Sequence, residues 1–414
     1  MIPAALAPTI AALVEEHGSP LWLVDVDRVR ANLHGFRAAW EAVWPDVEVA
    51  YSYKTNRTLA ILRALADEGA APEVVCAAEY ALARDVVGAA GDSIVLNGPV
   101  KPPALLERAA ADGALVIADG DDDLRAARAA GVRRLGLRVR VGDSRFGFDP
   151  TEIGAAARAA DGSVGAEARG STRGPGSPAR AALAAGAVEA LSAHVVSTSF
   201  TRAPHPGEPL AATVRVDWPP PPEPHARAAA LLARLACEHG VGTVDLGGSH
   251  PAPPRLAAHA AAVADALRAE GFAGRLLLEP GRALVADAVD LATTVVAVKD
   301  GLAILDAGTN LLPGVLWGWP RFEAVAPRGD APVALSGPLC LNVDVLHPAA
   351  PVGPLAPGDL LLARAAGAYQ QVQSTQFGDF RPAVAARDGG RWRLAQRRES
   401  IEDLVDKEDA WVDG

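Results

Sequence analysis

The chain has 414 residues, half of them hydrophobic, which suffices for one large barrel plus an appended domain. A net charge of −11 with no block of like charge argues against a nucleic-acid or anionic-membrane partner. No apolar run reaches spanning length and Met1-Ile2-Pro3-Ala4-Ala5-Leu6 lacks the basic start of a signal peptide, so a cytoplasmic protein is expected; Cys76, Cys237 and Cys340 show no metal-ligand spacing and cannot all pair, so thiols are expected and a metal is not.

The stretch Pro20-Leu21-Trp22-Leu23-Val24-Asp25 reads as a strand and is a candidate to pair with strands near the C-terminus. From Leu21 to Leu284, β-like runs alternate with Ala/Leu/Arg-rich helical runs. The β-like runs are Val47–Ala50, Glu73–Cys76, Ile94–Asn97, Leu115–Ala118, Leu135–Val141, Leu191–Val196, Thr243–Leu246 and Arg275–Glu279. Helices are predicted at Thr58–Glu68, Ala78–Val87, Pro103–Ala111 and His225–Glu238. Eight strands with helices between them are the arithmetic of a (β/α)8 TIM-type barrel, although any half would also suit an open doubly wound sheet.

Two stretches read as loops: residues 160–180, rich in Gly, Ser, Pro and Arg, and residues 201–225, with the run Pro219-Pro220-Pro221-Pro222. After Asp287 strand-like pieces follow Gly/Pro turns, at Ala292–Lys299, Leu302–Leu305, Leu360–Ala363 and Arg391–Leu394. The expected organisation is a barrel over 26–287 and a β-rich domain made of 1–25 plus 288–414.

Barrel enzymes place their reagents at the carboxyl ends of the strands, and those ends are polar here. Lys54 follows the first, Glu79 the second and Asn97 the third; Arg138 lies within the fifth, and His194 and Ser197 end the sixth. Asp245-Leu246-Gly247-Gly248-Ser249 follows the seventh and Glu279-Pro280-Gly281-Arg282 the eighth. The two glycine turns expose backbone N–H groups at helix starts and suit a phosphate. A lysine on the first strand facing a bound phosphate suggests a phosphorylated aldehyde held as a Schiff base. A lone turn, histidine or cysteine would not carry this reading, since each is more often a tight connection, a satisfied core group or a small buried hydrophobe.

The stretches "YSYKTN", "EVVCAAEY", "LRVRVGDSRFGFD", "LSAHVVSTS", "VDLGGSHP", "LLLEPGRALVADA", "ILDAGTN", "LSGPLCLNVDVL" and "PGDLLLARAAGAY" occur in an order that resembles the fold-type III pyridoxal-phosphate decarboxylases. That family includes diaminopimelate and ornithine decarboxylases and shares its barrel with alanine racemase. The resemblance implies an alanine-racemase-like barrel followed by a mostly β domain, pyridoxal 5′-phosphate as cofactor, and a homodimer whose subunits complete each other's sites. It implies that Lys54 bonds to the cofactor aldehyde, that His194 stacks on its ring, and that Glu279 pairs with its pyridine nitrogen. Ser197, Gly247, Gly248, Gly281, Arg282 and Tyr369 then match phosphate-side positions, and Cys340 matches the thiol that returns a proton after CO2 leaves. Asn97, Glu73 and Arg138 are candidates for supporting roles.

A carboxylate at Glu279 favours decarboxylation over racemisation, because the racemase branch has an arginine there and a carboxylate keeps the ring an electron sink. A racemase or epimerase is the nearest alternative; a non-catalytic cofactor-binding regulator is less favoured because both Lys54 and Cys340 are present.

Two positions depart from the diaminopimelate pattern. Pro313, in Leu311-Leu312-Pro313-Gly314, stands where an arginine would clamp the remote carboxylate. Leu341 follows Cys340 where an acidic residue would meet the distal ammonium, with Asn342 next, and Asp344 and Arg321 are candidates to take over a polar role. Trp317, Leu341 and Asn342 are the candidate substrate residues. The expected substrate is a modified or carrier-tethered amino acid of secondary-metabolite or siderophore biosynthesis, not the diamino diacid of lysine biosynthesis.

Overall fold

A computed structural model describes residues 6–142, 144–153, 177–195, 198–200, 214–216, 220–316 and 318–408. Strand β1 (Leu21–Asp25) is followed by β2 (Val47–Ser52), β3 (Ala71–Val74), β4 (Val95–Leu96), β5 (Leu115–Ala118), β6 (Arg134–Arg138) and β7 (Ala190–Val195). A short hairpin of β8 (Thr198–Phe200) and β9 (Val214–Val216) precedes β10 (Thr243–Gly248) and β11 (Arg275–Glu279). Strands β2 to β7, β10 and β11 close into a parallel barrel in the order β10-β11-β2-β3-β4-β5-β6-β7.

The barrel closes because its strands bury both faces. Outward side chains pack under the helices, whose apolar stripes supply the other half of that core: Val29, Leu33, Phe36 and Trp40 recur at helical spacing along the helix Val26–Glu41, each 1% exposed or less. Inward side chains are small or branched, with Ala50, Ala71, Val95, Leu115, Ile117, Ala190 and Leu277 filling the floor of the barrel. The N-terminal end is tied by ion pairs of Arg134 with Glu189 (2.7 Å) and Arg275 with Glu48 (3.2 Å). The polar residues of the opposite end therefore sit above a packed floor rather than in a pore.

The remaining strands are β12 (Val289–Lys299), β13 (Leu302–Leu305), β14 (Arg321–Ala324), β15 (Ala331–Ser336), β16 (Val345–Gly353), β17 (Leu360–Arg364), β18 (Ala383–Asp388) and β19 (Arg391–Gln396). With β1 they form a nine-stranded sheet. Strand β1 lies between β12, antiparallel, and β18, parallel. A helix over Ala7–His17 covers this sheet by packing Ile10 and Leu13 on Leu21, Leu23, Ala292 and Leu362.

Several elements differ from the sequence expectation. Strands β14, β15, β16 and β18 were not expected; in β15 and β16, Pro332, Pro348 and Pro351 interrupt the apolar run, and the β15–β16 pair absorbs them with register shifts. The helix predicted over Ala78–Val87 is α-helical at Ala77–Ala81 and becomes a π-turn over Leu82–Val87. The loop predicted at 201–225 contains β9 and ends in a helix that begins at Glu223, while residues 160–176 of the other predicted loop lie outside the described residues. Among the described residues no helix is long and apolar enough to cross a membrane.

Candidate active site

Strand register assembles the site. Gly247 of β10 lies opposite His194 of β7 on one side and Glu279 of β11 on the other, so three neighbouring strands present one row at the C-terminal mouth of the barrel. The middle position has to be glycine: a Cβ there would stand 2.2 Å from Glu279 Oε2 and 2.6 Å from His194 Nδ1. The imidazole and the carboxylate face each other across that gap, with Nδ1 and Oε2 3.9 Å apart. Glu279 is 2% exposed, and its other oxygen accepts a hydrogen bond from Asn97 Nδ2 at 2.5 Å. Burial, reinforced by the Lys54 and Arg138 charges, pushes the His194 pKa down to about 3, so its ring is neutral at physiological pH.

Lys54 enters from the next strand of the same mouth, since β2 pairs with β11. β2 ends at Ser52, one turn of 3-10 helix covers Tyr53–Thr55, and the lysine ammonium reaches Glu73 of β3 at 3.0 and 3.2 Å. Ser52, paired in register with Glu73, donates its hydroxyl to the same carboxylate at 2.5 Å. Burial opposes the charge on Lys54, but Glu73, Glu279 and Tyr369 outweigh it and hold the ammonium above the ordinary lysine pKa. Paired with Glu73, Lys54 is a cation that has to give up a proton before its nitrogen can act as a nucleophile.

The glycine turns leave a cradle between these groups. Gly248 has φ +114°, and a Cβ on it would lie 1.9 Å from the Val195 carbonyl oxygen. A Cβ on Gly281 would fall 2.0 Å from Thr55 Oγ1, a buried hydroxyl with no hydrogen-bond partner among the described residues. Gly281 opens the short helix Arg282–Val285, and the Arg282 guanidinium lies over the Tyr369 ring, 5.3 Å from its centroid. Bare backbone, an unpartnered hydroxyl and a guanidinium make a donor set for an anion such as phosphate.

The β-rich sheet clasps this cradle. Tyr369 sits at φ +68°, a conformation that costs a non-glycine residue about 1–2 kcal/mol. Its N–H donates to the Thr55 carbonyl at 2.8 Å, and Asn56 Nδ2 donates to the Gly367 carbonyl at 2.9 Å and to Gln371 Oε1 at 2.8 Å. The "YSYKTN" turn is thereby fixed by residues more than three hundred positions away.

Lys54, His194, Gly247, Gly248, Glu279, Gly281, Arg282 and Tyr369 thus gather at one mouth; Ser197 and Trp317 lie outside the described residues. Cys340, Leu341 and Asn342 lie elsewhere, on an exposed loop, and no hydrogen bond or ion pair among the described residues joins Cys340 to Lys54, His194 or Glu279. Asp344, a candidate for a polar role toward substrate, is 1% exposed and bonded to backbone: Oδ1 accepts from Thr309 N–H (2.7 Å) and Oδ2 from Leu339 N–H (2.8 Å). Arg321 pairs with Glu323 at 3.1 Å.

The sequence reading named Asp245 at the end of the seventh strand but gave it no role of its own. It is fully buried in β10 beside Glu279 and Ser192, and burial, with the neighbouring Glu279 charge, pushes its carboxyl far above the usual range. Its signal was an acidic residue inside the otherwise apolar strand Thr243–Gly248.

Comparison with known proteins agrees with this geometry. Residues 30–153 match the model of the pyridoxal-dependent decarboxylases, pyridoxal-binding domain. The chain is 30% identical over 420 residues to a diaminopimelate decarboxylase of Actinosynnema pretiosum subsp. auranticum, covering 96% of this chain and 90% of that one. It is 29% identical over 418 residues to the diaminopimelate decarboxylase of Deinococcus radiodurans, covering 94% and 96%. The crystal structure of Helicobacter pylori diaminopimelate decarboxylase complexed with L-lysine superposes with a TM-score of 0.76 over 97% of this chain and 99% of that one, at 20% identity.

Proposed function

Because the chain belongs to the fold-type III pyridoxal-phosphate-dependent decarboxylases, we propose that it removes the α-carboxylate of an amino acid whose distal end is uncharged, acylated or carrier-tethered. The enzyme is a carboxy-lyase that uses pyridoxal phosphate, and its residues fit the cofactor: the Gly247–Gly248 and Gly281 turns, Thr55 Oγ1 and Arg282 receive the phosphate, and Lys54 receives the aldehyde. Bound there, the cofactor supplies an electron sink for the pair released when the Cα–carboxylate bond breaks. The neutral His194 ring offers a face for stacking, the Glu279 carboxylate offers a partner to a protonated ring nitrogen, and Glu73 accepts hydrogen bonds from the Lys54 ammonium.

The observation that carries the substrate reading is the engagement of both oxygens of the buried Asp344 by backbone donors. With both oxygens of that carboxylate so engaged, the two positions that would meet a substrate's far end by the family resemblance carry Pro313 and, after the cysteine, Leu341, while Leu311 and Leu312 are buried in the core. Apolar groups do not compensate a desolvated ammonium or carboxylate. On this reading we assign the enzyme to a secondary-metabolite or siderophore biosynthesis rather than to lysine biosynthesis. In a CO2-release panel of free, N-acylated and carrier-bound amino acids, kcat/KM for meso-diaminopimelate is expected at least about 100-fold below that of the best substrate, as an uncompensated charge requires. Efficient turnover of meso-diaminopimelate would make it a lysine-forming enzyme like the relatives' names.

A second copy completes the site in this reading. Cys340 and Leu341 are exposed with Val343 (76% exposed) on one loop, and Phe377 is half exposed beside that loop. We assign this apolar face to a homodimer that carries Cys340 to the neighbouring barrel, where its thiol returns a proton to the product carbon. Cys340→Ala is expected to slow turnover with cofactor still bound. Mixing Cys340→Ala with Lys54→Arg chains restores about a quarter of wild-type activity, since half the dimers are mixed and each has one intact site in two. No recovery on subunit exchange would place Cys340 outside the chemistry of the facing site.

A further inference from the structure

Directly behind the Gly247–Gly248 turn lie three histidines that the site does not use. His225 belongs to the first turn of the helix Glu223–His239, His250 follows β10, and His259 lies on the helix Leu256–Ala269. Their exposures are 0%, 1% and 1%. One ring nitrogen from each lies within 4.8 Å of the other two, and the ring centroids are 4.7, 4.9 and 5.9 Å apart. We propose that His225, His250 and His259 are the protein ligands of a tetrahedral divalent cation of the zinc class.

Five of the six ring nitrogens, all but His250 Nε2, are buried without a hydrogen-bond partner among the described residues. His225 faces the Gly247 carbonyl without reaching ordinary hydrogen-bond geometry. Folded cores rarely leave buried donors and acceptors unpaired, and five on three adjacent rings call for a common partner. His250 Nε2 meets the Leu246 carbonyl at 2.9 Å. A carbonyl only accepts, so Nε2 carries the hydrogen and the buried, unpartnered Nδ1 keeps its lone pair for a ligand. A backbone carbonyl fixing the tautomer in this way is the usual support of a metal-bound imidazole.

The donor chemistry selects the ion. Three imidazoles and no carboxylate exclude magnesium and calcium, which require oxygen ligands. Zinc takes imidazole nitrogen at about 2.0–2.1 Å, which places tetrahedral ligand atoms about 3.4 Å apart, so nitrogens that lie within 4.8 Å of one another close on the ion by moving inward. Phe36 and Trp40 wall the cluster, their ring centroids 5.6 and 5.9 Å from that of His250. Glu223, two residues before His225, is the carboxylate whose charge reaches His259. The cation cross-links the end of β10 to the helices before and after it, and this assignment does not depend on which amino acid the enzyme decarboxylates.

The test uses the full chain without an affinity tag, exposed to zinc chloride and then dialysed. About one zinc per chain is expected by elemental analysis, and adding zinc to the stripped protein is expected to raise Tm by roughly 5 °C at a hundredfold excess over Kd. His259→Phe and His225→Leu, whose apolar side chains suit the aromatic walls, should keep native circular dichroism and lose both the zinc and the Tm response. Should either variant fail to fold, cobalt(II) added to the stripped wild type decides: intense visible bands of a tetrahedral nitrogen site saturating at one equivalent support the assignment, and weak octahedral bands overturn it. Wild-type protein that retains less than about a tenth of an equivalent of zinc, or folded variants that retain a full equivalent, also overturns it.

Discussion

Lys54→Arg is expected to lower kcat by on the order of 10⁴-fold or more, to abolish the visible absorbance of a pyridoxal carbonyl bonded to lysine, and to leave Tm near that of the wild type. The guanidinium keeps the positive charge that Glu73 requires, and it cannot lose its proton to become a nucleophile. Lys54→Ala is expected to lose the same activity and, in addition, stability. Glu73 is 0% exposed, and its partners are the Ser52 hydroxyl and the Lys54 ammonium. Removing the cation leaves a buried carboxylate facing one hydroxyl, a change that costs about 3–5 kcal/mol when a buried pair is broken. Thermal unfolding of both variants beside absorbance and steady-state assays separates the two roles. Equal Tm losses in Arg and Ala would show that the charge is not what Lys54 contributes to the fold, and turnover by Lys54→Arg would remove Lys54 from the chemistry.

The contrast between Lys54 and Glu73 shows how far the sequence could be read. Lys54 is announced by its place after a strand and by the stretch around it. Glu73 lies in Ala71–Val74, where one acidic residue in a buried strand is visible but its partner is not, because that partner is fixed by the pairing of Ser52 with Glu73. The barrel strands were legible as short apolar runs bounded by helices, whereas β15 and β16 were hidden by prolines that an irregular antiparallel pair tolerates. Glycines 247, 248 and 281 were legible as turns, but the reason each excludes a side chain came only from what lies across from it. Cys340 marks a different limit: its place in a motif is plain, yet among the described residues no hydrogen bond or ion pair joins it to Lys54, His194 or Glu279. The histidine cluster was illegible altogether, since its members come from three elements without ligand spacing, and only the folding of β10 against two helices brings them together.

Glu279→Gln is the second large effect, expected to lower kcat by about 10²–10⁴-fold with cofactor still bound, while Asp245→Asn lowers it less than about tenfold. The two carboxyls are neighbours in one buried layer. Asp245 is driven toward its protonated form by burial and by the Glu279 charge, so replacing it with an amide removes little that is ionised at neutral pH. Glu279 instead accepts from Asn97 and faces the neutral His194, which leaves it the carboxylate available to a ring nitrogen. An amide at 279 cannot keep that nitrogen protonated, and the electron sink weakens in the step where the Cα bond breaks. The sign of the pH effect follows. A carboxyl whose folded pKa is raised adds stability that is fully present below its unfolded pKa, about 3.9, and is lost as pH rises toward the folded value. Wild-type Tm should therefore fall relative to Asp245→Asn between pH 4 and neutrality, with the gap widening as pH increases. A constant gap over that range would mean that Asp245 titrates as an ordinary carboxylate, and that the amide at 245 acts through packing alone.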